Sequence, residues 1–162
     1  QEANRHAWHS TLHAAHDRAG TGGGYGGGAA SWSGPRDWTS AEYGPGAKCI
    51  NTSAPFNVAI SFPTDAQGSL VAVEVRLSQD GHTCPLFVRI GDYSGMAELS
   101  RALAAGMTPV ISYWGSDDLL WMDGKGMDAQ GPCAKDDVAA CSDSVKFYGF
   151  SVEHIGGPGG AA

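Results

Sequence analysis

Short stretches of the chain alternate apolar and polar residues with a period of two, which is typical of half-buried β-strands. In residues 56–62, "FNVAISF", every second residue from Phe56 onward is apolar. In residues 70–78, "LVAVEVRLS", alternate valines and a leucine share one face, and Glu74 and Arg76 lie on the other. The turn-forming residues "TDAQGS" separate the two stretches, so we expect them to pair as an antiparallel hairpin or meander.

Four further stretches continue the strand pattern, and loops containing Gly, Pro and Asp join them. These stretches are "PLFVRI" at 85–90, "TPVISYW" at 108–114, "LLWMD" at 119–123 and "SVKFYGFSVEHI" at 144–155. Short strands joined by such loops predict an all-β fold, in which two antiparallel sheets pack as a sandwich.

Only residues 94–106, "SGMAELSRALAAG", have the pattern of a helix. Met96, Leu99 and Leu103 fall on one stripe, as the helical period requires. Ser94 is a residue type that caps helix N-termini, and Gly106 is one that ends helices. The sequence therefore predicts one short helix within a β-rich domain.

Residues 20–34 are too rich in glycine to form the interior of a strand, because eight of these fifteen residues are glycine. A phosphate-binding loop needs a strand before it and a helix after it. The following residues, "SWSGPRDW", have no helical pattern, so we interpret 20–34 as a plain loop. Residues 1–157 then form one domain, and residues 158–162 form a flexible tail.

Charge and hydropathy exclude several classes of function. The 162 residues are enough for one domain with a core, and the net charge is -7. A nucleic-acid-binding protein would need a basic surface, so we expect no nucleic-acid partner. No apolar run is long enough to cross a bilayer, which predicts no membrane partner. The chain is polar from its first residue, as a mature, processed or truncated chain would be.

The cysteines predict disulfides and not a zinc site, because no two of them have CxxC spacing: Cys49, Cys84, Cys133 and Cys141. An even number of cysteines suits two disulfides in an oxidising compartment. A local Cys133–Cys141 bond would leave Cys49 to pair with Cys84. The alternative is four buried thiols.

Residues 51–53, Asn-Thr-Ser, form an acceptor sequence for N-glycosylation at Asn51. Such sequences also arise by chance. This one agrees with the cysteines, so we expect a secreted protein located outside the cell or in the cell wall.

The first thirteen residues, "QEANRHAWHSTLH", contain the densest group of reactive side chains, with three histidines close to Glu2. If residues 5–13 form a strand, His9 and His13 face the same side. Three interpretations compete: a zinc site that lacks a third ligand, histidines satisfied on a sheet face, or a catalytic site in which Glu2 is a general acid.

Several motifs resemble those of glycoside hydrolase family 7, whose members are cellobiohydrolases and endo-β-1,4-glucanases. "EAN" at 2–4 resembles the end of the family signature Glu-x-Asp-x-x-Glu-Ala-Asn, and His13 follows Glu2 at the family's spacing of eleven residues. Arg36 precedes Tyr43 by seven residues, as a substrate-contacting arginine does in the family. Further similar segments are "YGPGAKCINTSAPFNVAISF", "ALAAGMTPVISYWGSDDLLWMDG" and "VKFYGFSVEHIGG".

The resemblance implies a concanavalin A-like jelly roll, of which residues 1–157 are the C-terminal portion in a divergent branch similar to protist or algal sequences. It also implies that Glu2 is the catalytic acid/base. The two carboxyl groups of a retaining glycosidase stand roughly 5 Å apart. In the family signature the nucleophile precedes this glutamate by five residues, so we expect it before residue 1, in a missing N-terminal half.

The same resemblance implies a substrate groove that includes His13, Arg36, Trp114 and Trp121. The alternative for the two tryptophans is a place in the core. They are seven residues apart here and nine in the family, and the loop at 115–118 departs from the family's sequence. Trp32 and Trp38 flank the Gly-rich loop, where an exposed tryptophan could support a sugar ring.

These features predict a parent protein that hydrolyses β-1,4-glucan with retention of configuration. We expect it to bind β-glucan or cello-oligosaccharide and to need no cofactor and no metal. The alternative is a glucan-binding or cell-covering protein that uses the same lectin-like sandwich without catalysis.

Overall fold

The computed structural model describes residues 1–17, 20–22, 36–113, 115 and 144–154. Within these ranges the regular elements are β1 Glu2–Ala3, β2 Trp8–His9, β3 Thr11–Leu12, β4 Thr21–Gly22, β5 Tyr43–Gly44, β6 Ile50–Asn51, β7 Asn57–Ser61, β8 Val73–Ser78, β9 Leu86–Ile90 and α1 Met96–Ala105. The predicted class is confirmed for the residues that the structure describes: they form mainly antiparallel β-strands with one short helix, which is consistent with an all-β sandwich.

The largest sheet has three antiparallel strands in the order β7-β8-β9. Val58 of β7 lies opposite Leu77 of β8, and Val75 lies opposite Val88 of β9. The connection between β7 and β8 is closed by Asp65, whose carboxylate accepts hydrogen bonds from the backbone of Gln67 and Ser69. The antiparallel pairing predicted from alternation is therefore confirmed, and so is the third strand.

Three two-residue pairs complete the described strands: β1 with β2 and β3 with β4 are antiparallel, whereas β5 with β6 is parallel. The continuous strand considered for residues 5–13 is wrong, because β2 and β3 pair with different partners. A turn at Asn4 reverses the chain and allows β1 to pair with β2. The Asn4 side-chain oxygen accepts hydrogen bonds from the amides of His6 and Ala7 at 2.7 and 2.8 Å.

The main core lies between one face of the three-stranded sheet and the segments around β2, β5 and β6. Its buried members are Trp8, Trp38, Tyr43, Cys49, Ile50, Val75, Leu77, Leu86 and Val88. A disulfide between Cys49 and Cys84 links the β6 region to the loop before β9. It is one of the two disulfides that the sequence predicts, and this one is confirmed. Cys133 and Cys141 lie outside the described residues.

A second cluster holds the helix against the sheet, with Met96, Leu99 and Leu103 packed on Leu12, Leu70, Val73, Ile90 and Tyr93. The predicted stripe and the predicted end at Gly106 are confirmed. The predicted cap at Ser94 is wrong, because Gly95 occupies the N-cap and no side chain caps the helix. A methyl group at Gly95 would lie 2.5 Å from the Tyr93 ring, so packing against that ring fixes the helix start.

Two of the predicted strands, at 108–114 and 144–155, are not strands in the residues of these segments that the structure describes. Residues 108–113 and 144–154 contain neither helix nor strand, and their apolar side chains are exposed, including Val110, Tyr148 and Val152. An alternating segment becomes a strand only when a neighbour completes its hydrogen bonds, and no such neighbour is described beside them. The prediction that residues 20–34 are loop throughout is wrong at its start, because Thr21–Gly22 form β4 and pair with β3. The predicted strand at 119–123, the rest of the Gly-rich loop from residue 23 and the tail lie outside the described residues.

Candidate functional site

Glu2 is half-buried on β1, and the residue directly across from it is His9 on β2. The Asn4 turn sets this register. Directly opposite residues of an antiparallel pair project on the same face, within interaction distance. His9 is 8% exposed, so its ring is largely withdrawn from water. Sequence reasoning did not assign this histidine to Glu2, although an Asx turn at Asn4 is the signal that could have done so.

His13 belongs to a different strand pair, at the end of β3. Its side chain is exposed, and its Nδ1 lies 3.1 Å from the carbonyl oxygen of Asp17. Gly20, with φ of +66°, approaches so closely that a methyl group there would lie 2.7 Å from the imidazole. The β3–β4 hairpin therefore positions His13, whereas the β1–β2 hairpin positions Glu2.

Arg36 and Asp37 pack directly against β2. The backbone N–H of Asp37 donates to the carbonyl oxygen of Trp8 at 2.9 Å. Arg36 is 1% exposed and Asp37 is 2% exposed, so both ionisable side chains are interior. β2 thus contacts both the strand of Glu2 and the segment of Arg36. A sugar contact by Arg36 stays a prediction, and it requires the surroundings of the guanidinium to open.

Asp37 is a buried carboxylic acid that sequence reasoning missed. Burial raises its pKa to about 7, while contacts with Ser10 and the charge of the amino terminus act in the opposite direction. Neither of its carboxyl oxygens has a hydrogen-bond partner of ordinary geometry in the described part of the chain. An aspartate between an arginine and a tryptophan gives no sequence signal of burial.

Three aromatic side chains, Trp8, Trp38 and Tyr43, pack together beside Asp37 and β2. The Trp8 and Trp38 ring centroids are 6.2 Å apart, and those of Trp38 and Tyr43 are 6.3 Å apart. The Tyr43 hydroxyl donates to the Asn4 carbonyl at 2.9 Å, and burial raises the pKa of that hydroxyl above its ordinary value. Trp38 is buried, so the suggestion that it is an exposed sugar platform is wrong. Trp32, Trp114 and Trp121 lie outside the described residues.

The sequon at residues 51–53 is folded into a tight turn. The Asn51 side-chain oxygen accepts hydrogen bonds from the amides of Gly46 and Ser53 at 2.8 and 3.1 Å. The Thr52 hydroxyl donates to the Arg5 carbonyl at 2.7 Å. Glycosylation at Asn51 stays a prediction.

The described residues contain no cluster of three or more His, Cys, Asp or Glu side chains that could hold a metal ion. The described helix is not long and apolar enough to span a membrane. The arrangement around Glu2 is therefore a carboxyl group facing a histidine, with a second, interior carboxyl group on the neighbouring segment. It can donate and accept protons, which is the chemistry of general acid/base catalysis.

Comparison with known proteins points to glucan hydrolases. The chain is 31% identical over 105 residues to Endoglucanase EG-1 of Hypocrea jecorina, and 30% identical over 105 residues to Endoglucanase EG-1 of Trichoderma longibrachiatum. Each match covers 57% of this chain but only 22% of the relative, so the chain spans about a fifth of these relatives' length. These matches support a relationship to glycoside hydrolase family 7. No protein-family model and no solved structure matches the chain.

Proposed function

We propose that this chain is the C-terminal portion of a retaining β-1,4-glucan hydrolase, a divergent member of glycoside hydrolase family 7, and that Glu2 is its acid/base. The observation that carries the proposal is the placement of Glu2 on a strand pair opposite the largely buried His9. Its support from outside the structure is the similarity to proteins named endoglucanases.

In this mechanism the Glu2 carboxyl acts twice. As an acid, it gives its proton to the glycosidic oxygen while the bond to the anomeric carbon breaks. As a carboxylate, it then takes a proton from the water that hydrolyses the glycosyl-enzyme. His9 can donate a ring N–H to the carboxylate and hold it in one orientation, since the two residues face each other across β1 and β2.

The nucleophile must be a second carboxyl group, roughly 5 Å from the first in a retaining enzyme. We propose that the missing N-terminal half of the same domain supplies it, on the strand that leads into β1. The exposure of apolar side chains on the core-facing side of β7 supports the proposal that a further layer covers this side. Val58 is 47% exposed and Ile60 is 41% exposed, although their opposite neighbours Leu77 and Val75 are fully buried. Such a half-open apolar surface is normally covered in a sandwich.

We propose that the substrate is β-glucan or a cello-oligosaccharide, bound in a groove with contributions from His13, Arg36, Trp114 and Trp121. The exposed position of His13 supports its part in this groove. The Cys49–Cys84 disulfide supports a protein that works outside the cell, because such bonds persist in oxidising compartments.

The direct test uses the polypeptide in which residue 1 is preceded by its natural upstream residues. We expect it to release reducing sugar from soluble β-1,4-glucan, and not from β-1,3-glucan, with the β-anomer as the first product by NMR. Release of the α-anomer would exclude the retaining mechanism. Binding to cellulose without sugar release would favour the non-catalytic glucan-binding alternative.

A further inference from the structure

Asp37 is an interior carboxyl group that the proposed chemistry does not use. It is 2% exposed, and in the described part of the chain neither of its oxygens has a hydrogen-bond partner of ordinary geometry. A charged carboxylate in such a place loses its hydration and is only partly compensated by the contacts with Ser10, whereas a neutral carboxylic acid loses far less. The surroundings therefore favour the protonated form.

The segment that carries Asp37 is fastened to the strand that faces Glu2. The Asp37 amide donates to the Trp8 carbonyl at 2.9 Å, and Trp8 is the first residue of β2. Ser10, just after β2, contacts the Asp37 carboxyl and accepts a hydrogen bond from the Trp8 indole at 3.2 Å. A shift of Asp37 would consequently be transmitted to β2, and so to His9.

Several charged or titratable groups surround this position, and they differ in sign. Burial is the dominant influence and raises the Asp37 pKa to about 7, whereas the positive amino terminus lowers it. The other groups on the packed segments are Glu2, His9, Arg36 and Tyr43. Because burial outweighs the positive charges, the carboxyl group changes its protonation near neutral pH.

We propose that Asp37 is a positioning residue that keeps β2, and with it the His9–Glu2 pair, in place only while its carboxyl group carries a proton. When the proton leaves, the carboxylate must recruit water or a cation into the core. Either event separates the 36–38 segment from Trp8 and loosens the register opposite Glu2. The effect on catalysis rests on the proposed function. If that function holds, the activity should be higher at acidic pH than above pH 7.

The first test is independent of catalysis and needs no variant. Carboxyl carbon NMR of the uniformly labelled 162-residue chain should show Asp37 titrating near pH 7, together with a shift of the Trp8 indole N–H resonance. The exposed Asp80 is the internal control, and its resonance should not change together with that of the Trp8 indole N–H. Titration of Asp37 near pH 4 would show an ion-paired carboxylate and would overturn the proposal.

The second test measures kcat/KM against pH in the polypeptide with its natural upstream residues. Wild type should lose about tenfold per pH unit above pH 7, and Asp37→Asn, which mimics the neutral acid, should keep its activity to higher pH. Asp80→Asn should behave as wild type. An unchanged alkaline limb in Asp37→Asn would refute the positioning role. If no variant cleaves glucan but Asp37 titrates near pH 7, the proposed function fails and the titration inference stands.

Discussion

At the scale of single residues, Asn4 determines the position of Glu2 opposite His9, although Asn4 carries no charge. Its side-chain oxygen accepts two backbone hydrogen bonds, and its carbonyl accepts the Tyr43 hydroxyl. These bonds reverse the chain between β1 and β2 and bring Glu2 opposite His9. The geometry of the Glu2–His9 pair therefore depends on a turn residue whose own side chain carries no titratable group.

Replacing Asn4 with alanine should consequently impair both stability and the site. Two amides lose their acceptor, which should lower the free energy of unfolding by roughly 1–3 kcal/mol. In the polypeptide with its natural upstream residues, the proposed glycosidase activity should fall as well, because the Glu2–His9 register is no longer fixed. Urea unfolding and initial rates measure the two effects. Asn57→Ala, at an exposed position of β7, is the control, and an Asn4→Ala protein as stable as this control would contradict the argument.

The Asp37 carboxyl also predicts how stability depends on pH. Its pKa rises from 3.8 in the unfolded chain to about 7 in the folded chain, so the folded state binds its proton more tightly. The protonated Asp37 carboxyl therefore makes its full contribution to the free energy of unfolding below about pH 4. This contribution is lost as the pH rises through about 7, and the loss is about 4 kcal/mol at most. Asp37→Asn should remove this slope and should be more stable than wild type at pH 8.

Urea unfolding at pH 5 and pH 8 tests this prediction. The difference between the two pH values should shrink in Asp37→Asn and persist in Asp80→Asn. Equal destabilisation of Asp37→Asn at both pH values would mean that the carboxylate is paired when ionised, contrary to the burial argument.

At the scale of elements, the longer strands and the helix could be predicted because each repeats its pattern several times. β8 alternates buried and exposed side chains over six residues, which fixes its inward face. The two-residue pairs around the site could not be predicted in this way, because two residues contain no period. The sequence also could not predict that residues 144–154 form no strand. Their apolar and polar residues alternate as in a strand, but no described strand lies beside them to pair with.

The start of α1 gives a prediction at this scale. Ser94→Ala should leave stability almost unchanged, because Ser94 does not cap the helix. Gly95→Ala should destabilise the protein by roughly 1–3 kcal/mol, because its new methyl group would overlap the Tyr93 ring. Urea unfolding of both variants checks the pair. A loss of about 1 kcal/mol in Ser94→Ala would instead indicate a capping role.

At the scale of the whole molecule, the described residues form a main core and a second apolar cluster under the helix, and apolar surfaces beside them are exposed. Val58 and Ile60 on β7 are exposed on the side that faces the core, and Phe147 and Phe150 are exposed in the segment 144–154. The chain also spans about a fifth of the length of its relatives, 22%. The open apolar surface agrees with the proposal that a further layer covers this side of the sheet.

The central claim is that Glu2 is the acid/base of a retaining glucan hydrolase, and chemical rescue of Glu2→Ala tests it most directly. An aryl cellobioside with a good leaving group needs no acid for its first step, and azide attacks a glycosyl-enzyme without a base. In the polypeptide with its natural upstream residues, Glu2→Ala should lose about 10²- to 10⁴-fold on unactivated cello-oligosaccharide. Azide should restore turnover of the aryl substrate and yield β-cellobiosyl azide, while Glu153→Ala, at an exposed position, should behave as wild type. Full activity of Glu2→Ala on cello-oligosaccharide, or no azide product, would contradict the claim.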